Sequence, residues 1–185
     1  MQAMNRNYLA TALCLLPLAV GSAASIGKSQ TAQQCGVNQD RPAQRIFADP
    51  NGKHRWREYR SLRDVPELEL GLGASALLWA GRDRDFLIRI EEPGEDFAAY
   101  TDYCFDNLGR LVQLRFELRT AWGWGYRQEG PIAHRAVAVQ TSEFFNTKTG
   151  DSMTKPEQAD DVAEALNPHL YLLRSDLPFS KLLPR

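Results

Sequence analysis

The chain contains three histidines, His54, His134 and His169, the side chains best suited to acid–base catalysis or metal binding near neutral pH. None lies at a zinc-like spacing from another histidine or from a cysteine. The Gly-x-Ser-x-Gly, phosphate-loop, dinucleotide and His-Glu-x-x-His motifs are absent from the sequence. We therefore predict no catalytic residue, no metal site and no cofactor. A hydrolase would require the fold to bring a histidine to a carboxylate or hydroxyl.

Acidic side chains are concentrated between residues 83 and 96, as expected of a calcium site or an acid–base pair. Asp83 and Asp85 lie at the start of a predicted strand over residues 85–91, and further acids follow its end. At about 3.3 Å per residue, the two acidic groups lie roughly 20 Å apart. We therefore expect solvated acidic turns there.

The segment from Trp122 to Tyr126 alternates aromatic residues with glycine. Large flat side chains on a backbone that bends easily are typical of surfaces that stack on sugars, lipids or a partner chain. Two arginines on the preceding predicted strand would add positive charge. The ligand-binding candidates are Trp122, Trp124, Tyr126, Arg115 and Arg119. The alternative, which we favour, is that these aromatic residues and glycines pack a strongly twisted hairpin or a sheet corner.

The N-terminal 24 residues have the pattern of a secretory signal peptide: Arg6 is their only charged residue, residues 9–20 are largely apolar, and residues 21–24 are small. A membrane anchor is the alternative, but the apolar run is shorter than the roughly 20 residues of a spanning helix. We predict a secreted or periplasmic protein, with no membrane span after cleavage. Cleavage removes Cys14, and we expect Cys35 and Cys104 to form a disulfide in an oxidising compartment. Two free thiols are the alternative.

The chain has 22 basic and 23 acidic side chains, a net charge of −1. Because the charges of both signs are interspersed, no strong field attracts nucleic acid or an anionic membrane. We expect an unknown small molecule or protein as partner, and no nucleic acid.

Three segments in which Asp or Asn precedes Gly predict reversals between strands, at residues 47–53, 105–110 and 145–151. Alternating apolar residues predict strands on either side of these reversals. We place strands at residues 74–80, 85–91, 97–105, 111–119 and 133–145, with a further one near residues 54–60. Short connections between them favour an antiparallel meander.

The reversal at residues 105–110 allows the strand register to be predicted. If Phe105 faces Arg110, then Tyr103 faces Val112, and one side of the hairpin becomes largely apolar. The odd-numbered residues 111–119 then share the opposite side.

The C-terminal part of the chain begins with a helix-start pattern. Thr154 can cap, Glu157 can reach back, and an apolar stripe that includes Val162 and Leu166 follows. We therefore predict a helix that ends before Pro168. The tail over residues 170–183 is too apolar to stay exposed, so we expect it to cover a face or an edge of the sheet.

The sequence thus predicts a mainly β protein, with α+β as the alternative. We expect a curled antiparallel meander of about five to seven strands, open or barrel-like, with a C-terminal helix and a packed tail. After the signal peptide at residues 1–24, residues 25–43 form a flexible lead-in and residues 44–185 a single β-rich domain.

The expected function is non-enzymatic binding of an apolar or flat ligand by the curled sheet face or the aromatic segment. The alternative is a protein–protein module, either an inhibitor or an envelope assembly component, that presents a loop at residues 123–131 or the tail. A hydrolase is less favoured.

Overall fold

The computed structural model describes residues 30–81 and 85–183, so the predicted signal peptide lies outside the described residues. Within these ranges ten strands form one antiparallel sheet that does not close into a barrel. The strands are β1 (Arg45–Asp49), β2 (Arg57–Tyr59), β3 (Ala74–Ala80), β4 (Phe86–Pro93), β5 (Phe97–Phe105), β6 (Leu111–Thr120), β7 (Trp124–Ala133), β8 (Ala136–Val137), β9 (Thr141–Asn146) and β10 (Ser152–Met153). The helical segments are α1 (Gln30–Gln34) and 3-10 turns at Leu62–Asp64, Glu157–Ala159, Glu164–Leu166, Arg174–Asp176 and Ser180–Leu182.

The strands lie in the order β10, β9, β7, β6, β5, β4, β3, β1, β2, and β8 pairs with the end of β7. From β3 to β7 each strand pairs with its neighbour in sequence, which confirms the predicted meander. The strand predicted over residues 133–145 is wrong at its start. Residues 124–133 already form β7, and the predicted stretch is divided between β8 and β9. In the part of the chain that the structure describes, none of the helices has the length and apolar composition to cross a membrane.

Local hydrogen bonds close two of the predicted reversals. Asp106 Oδ1 accepts from the backbone N–H of Leu108 and Arg110. Asn146 Oδ1 accepts from the N–H of Lys148 and Thr149. Such bonds replace the ladder bonds that the backbone loses where a strand ends. The remaining reversal is wider, because β1 ends at residue 49 and β2 begins at residue 57.

The hairpin of β5 and β6 differs from the predicted register. Tyr103 pairs with Leu114 and not with Val112, and a β-bulge beside Phe105 lets Leu111 pair with Phe105. The predicted register is therefore wrong by two residues along most of the hairpin. Because two residues are one side-chain period of a strand, the predicted faces are nevertheless correct beyond the bulge. Leu111 and Val112, next to the bulge, are the exceptions. Leu111 lies in the main buried cluster, and Val112, predicted on the apolar side, packs on the opposite side against the cluster that contains Leu87 and Cys104.

The two faces of the sheet differ in chemistry. We call the side that carries Ile88, Tyr103 and Leu114 the core face, because these residues belong to the main buried cluster. The opposite side carries Arg89 and Asp102, and we call it the polar face. The C-terminal part of the chain covers the core face.

The tail is anchored by Phe179, which is 1% exposed. Its ring stacks on that of Phe47 at 5.1 Å between centroids and lies 4.6 Å from that of Trp56. Leu177 and Leu183 are buried in the same cluster. The predicted packing of the tail is therefore confirmed.

The predicted C-terminal helix is not continuous. The stretch forms two separate 3-10 turns, and neither has a side-chain capping hydrogen bond, so Thr154 does not act as the predicted cap. Val162, Ala165 and Leu166 pack against the main cluster. A helix this short gains little from its own hydrogen bonds, so these contacts decide the local backbone.

The N-terminal residues cover part of the polar face. In the segment predicted to be a flexible lead-in, α1 leads into Cys35, which forms the predicted disulfide with Cys104. Ala32 and Cys35 are buried in a second cluster with Leu77 and Leu87. The disulfide therefore ties the start of the described chain to the centre of the sheet.

Replacing Cys35 and Cys104 together by alanine should lower the free energy of unfolding by about 4 kcal/mol. The physical reason is the loop-closure entropy that the disulfide removes from the unfolded chain across a sequence separation of 69. Urea unfolding checks this, and reduction of the unaltered protein is the control that should give a similar loss. Equal unfolding midpoints with and without the disulfide would contradict the prediction.

Phe179→Ala should cost about 3–5 kcal/mol of stability, because it leaves a cavity between the rings that Phe179 joins to the sheet. Leu173→Ala in the same tail is the matched control, since Leu173 is 46% exposed. We expect that control to change stability by less than about 0.5 kcal/mol. Equal effects of the two substitutions in chemical denaturation would show that the tail is not docked as described.

Candidate functional site

A pocket opens between the core face of the sheet and the C-terminal part of the chain. Its floor consists of Phe97, Ala99 and Phe116 from β5 and β6, and residues 71–73, residue 165 and residues 167–169 contribute to its rim. Its volume is about 310 Å³, near the lower end of the roughly 300–1,000 Å³ typical of small-molecule sites. We call it the core-face pocket.

Small residues line the pocket on both sides of the boundary between the two layers. Strand alternation places Phe97 and Ala99 on the core face, and the neighbouring strand contributes Phe116. Ala99 lies between these two larger residues, and Ala165 lines the pocket from the C-terminal side. Two methyl groups leave open a volume that larger core side chains would fill.

Polar side chains also line the pocket, next to its apolar floor. Glu92 pairs with Ala99 across β4 and β5, and His169 comes from the C-terminal part of the chain. Loss of hydration raises the pKa of the Glu92 carboxyl, and the nearby His169 acts in the opposite direction. The Tyr103 hydroxyl donates a hydrogen bond of 2.8 Å to the carbonyl oxygen of His169. Burial raises the pKa of Tyr103 well above its usual range, so this phenol stays a neutral donor.

A row of aromatic rings connects the pocket floor with the surface. It runs from Phe116 to Tyr126, Phe144, Trp124 and Trp122, with successive centroid distances of 6.4, 5.0, 5.9 and 6.1 Å. Trp124 is only 3% exposed and belongs to the core, whereas Trp122 at the other end is 46% exposed. Of the three predicted aromatic ligand-binding residues, Trp124 is thus a packing residue and Trp122 the exposed one.

The predicted arginines lie elsewhere. Arg115 and Arg119 point to the polar face, and each forms an ion pair of 2.6 Å with Glu117 between them. Trp124 and Tyr126 are on the core face, because they pair with residues whose side chains lie on that side. The structure does not bring the two arginines together with the aromatic residues, so the single aromatic and basic patch envisaged from the sequence is divided between two faces.

Glycine in the aromatic segment serves packing as well as bending. A Cβ atom on Gly125 would lie 2.5 Å from the ring of Phe145, its partner on β9. The ring therefore lies directly over the glycine backbone. The segment is part of a regular strand, which is why the loop predicted at residues 123–131 is not found.

The three histidines occupy different surroundings. His54 and His134 are exposed turn residues with φ of 54° and 50°. His169 lines the core-face pocket with its ring 4.4 Å from that of Tyr171. Among the described residues no set of three or more His, Cys, Asp or Glu side chains is arranged to hold a metal ion.

Comparison of the chain with known protein families, curated proteins and solved structures finds no match. The function must therefore be argued from the geometry of the site itself.

Sequence reasoning missed the core-face pocket although it singled out several of its residues separately. The predicted apolar face contains Phe97, Ala99 and Phe116, and His169 is one of the three histidines suited to catalysis or metal binding. Nothing in the sequence indicates that residues 165–169 lie against them, because that contact joins segments about 50 to 70 positions apart.

Glu92→Gln should flatten the dependence of stability on pH. The folded-state pKa of Glu92 is raised, so the folded protein holds this proton more tightly than the unfolded chain and loses stability as the pH rises through the folded-state pKa. The amide removes that loss, and the variant should be more stable near neutral pH. Glu92 keeps contact with solvent, so the gain should stay below about 1 kcal/mol.

Urea midpoints measured across the acidic to neutral range check this, with Glu95→Gln on the exposed β4–β5 turn as control. If the free energy of unfolding depends on pH in the same way in the unaltered protein and in Glu92→Gln, the raised pKa of Glu92 is contradicted.

Proposed function

We propose that the protein is an exported, non-enzymatic binding protein that holds a small apolar or flat ligand in the core-face pocket. The observation that carries this proposal is an open volume of about 310 Å³ beside two phenylalanine rings, next to the main buried cluster of the sheet. An apolar ligand would complete the packing of the two layers there.

The polar groups of the pocket support orientation of such a ligand. Glu92 and His169 offer a carboxylate and an imidazole beside the apolar floor. A pocket that is mostly apolar with a few polar groups is the usual form of a small-molecule site, since the polar groups fix the direction in which the ligand enters. We therefore expect a ligand with an apolar ring system and one polar end.

The exported location is also part of the proposal. The disulfide between Cys35 and Cys104 is compatible with an oxidising compartment. The pattern of the N-terminal 24 residues supports secretion or transfer to a periplasm.

The protein–protein alternative has less support from the geometry. Both segments expected to present a partner surface are packed against the rest of the molecule. Residues 124–133 form β7 between β6 and β9, and the tail residues Leu177, Phe179 and Leu183 are buried. Deletion of the tail would therefore disturb the fold before it tested a partner contact.

Ala165→Leu should weaken binding of a flat apolar probe, N-phenyl-1-naphthylamine, by roughly tenfold, because the added carbons occupy the core-face pocket. Ala163→Leu is the matched control. Ala163 is exposed on the same stretch of chain and does not line the pocket, so this variant should bind the probe within about twofold of the unaltered protein.

Fluorescence titration gives both affinities, and urea unfolding confirms that both variants are folded. Failure of the unaltered protein to bind the probe, or equal binding by the two variants, would count against the pocket as the ligand site.

A further inference from the structure

Positive charge is concentrated at one edge of the sheet, although the net charge of the whole chain is only −1. Residues 53–63 contain five Arg or Lys residues and one acid, Glu58. Glu58 is neutralised from outside this segment, because Arg45 of β1 forms an ion pair of 2.5 Å with it. Glu58 therefore does not neutralise any of the five basic residues of the segment.

Successive side chains around Trp56 point alternately to the surface and to the core. Trp56 packs on Phe179 of the tail, with 4.6 Å between the ring centroids. The residues on either side of it, Arg55 and Arg57, line a separate cleft of about 320 Å³. Lys53 lines the same cleft, as expected from a side-chain period of two. We call this feature, defined by Lys53, Arg55 and Arg57, the basic cleft.

The basic cleft has the donors that an oxyanion requires. Asn51 and Tyr59 lie in its lining with the three cations, and no acidic residue does. Among the described residues none forms an ion pair with Lys53, Arg55 or Arg57. Charge on an edge strand protects a sheet from pairing with other chains, but protection does not require three cations to converge on one cleft.

The walls of the basic cleft are fixed by contacts to a neighbouring loop. The carbonyl oxygen of Pro50 accepts a hydrogen bond of 2.7 Å from the N–H of Glu69. Gly73 approaches the same carbonyl so closely that a Cβ atom there would lie 2.4 Å from the oxygen. The adjoining groove shares Pro50, Asn51 and Pro66 with the cleft but contains Glu67 and Glu69. The acidic side chains therefore lie on the far side of the residues that the two grooves share.

We propose that the basic cleft binds a phosphoryl group with more than one negative charge, carried by a small soluble phosphate compound or by a lipid headgroup. Two guanidinium groups supply paired donors that match phosphate oxygens, and the lysine adds a third charge. A fixed wall reduces the ordering that the cleft must undergo when it binds. The residues of this cleft do not line the core-face pocket, so the two sites can be tested independently.

Calorimetric titration of the full chain with pyrophosphate tests the proposal. The double substitution Arg55→Gln with Arg57→Gln should weaken binding by roughly tenfold or more, since charge-assisted hydrogen bonds are lost. Lys53→Gln, in the turn before β2, is a second variant that leaves the strand pairing untouched and should also weaken binding. Arg60→Gln is the matched control, because it removes one charge from the same segment outside the cleft lining. It should change the affinity by less than about twofold.

Flotation with vesicles that contain phosphatidic acid distinguishes the two sources of the phosphoryl group. Binding to pyrophosphate alone supports a soluble compound, and binding to the vesicles that is lost in the double variant supports a lipid headgroup. The proposal is overturned if neither probe binds, if Arg60→Gln weakens binding as much as Lys53→Gln, or if citrate binds as tightly as pyrophosphate.

Discussion

A single open sheet with one apolar face requires a second layer, and this protein obtains it from its own C-terminal residues. The contacts of Phe179 with Phe47 and Trp56 hold that layer in place. The remaining features follow from how completely the layer covers the core face. Where the tail is aromatic and buried, the two layers are closely packed. Where Ala99 and Ala165 line the boundary between the layers, the cover is incomplete and leaves the core-face pocket.

The polar face is stabilised in a different way. Asp102, whose side chain is 3% exposed, accepts hydrogen bonds of 2.7 and 2.9 Å from Arg89. Glu117 lies between Arg115 and Arg119. A charge removed from water without such partners would cost several kcal/mol, so these arginines satisfy buried carboxylates of the sheet. The short N-terminal helix and the disulfide cover the apolar end of the same face.

The two proposed sites have different origins in the chain. The basic cleft comes largely from a short stretch whose side chains alternate between the core and the solvent, and the neighbouring loop fixes its wall. The core-face pocket has lining residues from β4, β5, β6, the loop before β3 and the C-terminal part of the chain. A phosphoryl site at the sheet edge and an apolar pocket between the layers would let the protein bind two chemically different groups at separate places.

The sequence by itself determined the features that depend on neighbouring residues. Asp106 and Asn146 close their turns through local hydrogen bonds, and strand alternation places Leu114 and Arg115 on opposite faces whatever the register. The pairing of Cys35 with Cys104 followed from their number. Only the tertiary structure decided the exact register. Phe105 pairs with Leu111 instead of Arg110, and the bulge beside it adds one more residue, so the two displacements together amount to a full side-chain period.

Tertiary structure also decided the form of residues 154–168, where capping signals indicate a helix but contacts with the sheet produce separate 3-10 turns. It likewise separated Arg115 and Arg119 from Trp124 and Tyr126, since residues close in sequence on adjacent strands can face opposite sides. The pocket itself was beyond sequence reasoning. Its walls come from segments that are distant in sequence and come together only in the folded protein. The packing energy between them depends on the complementary shapes of their side chains, which local residue patterns do not encode.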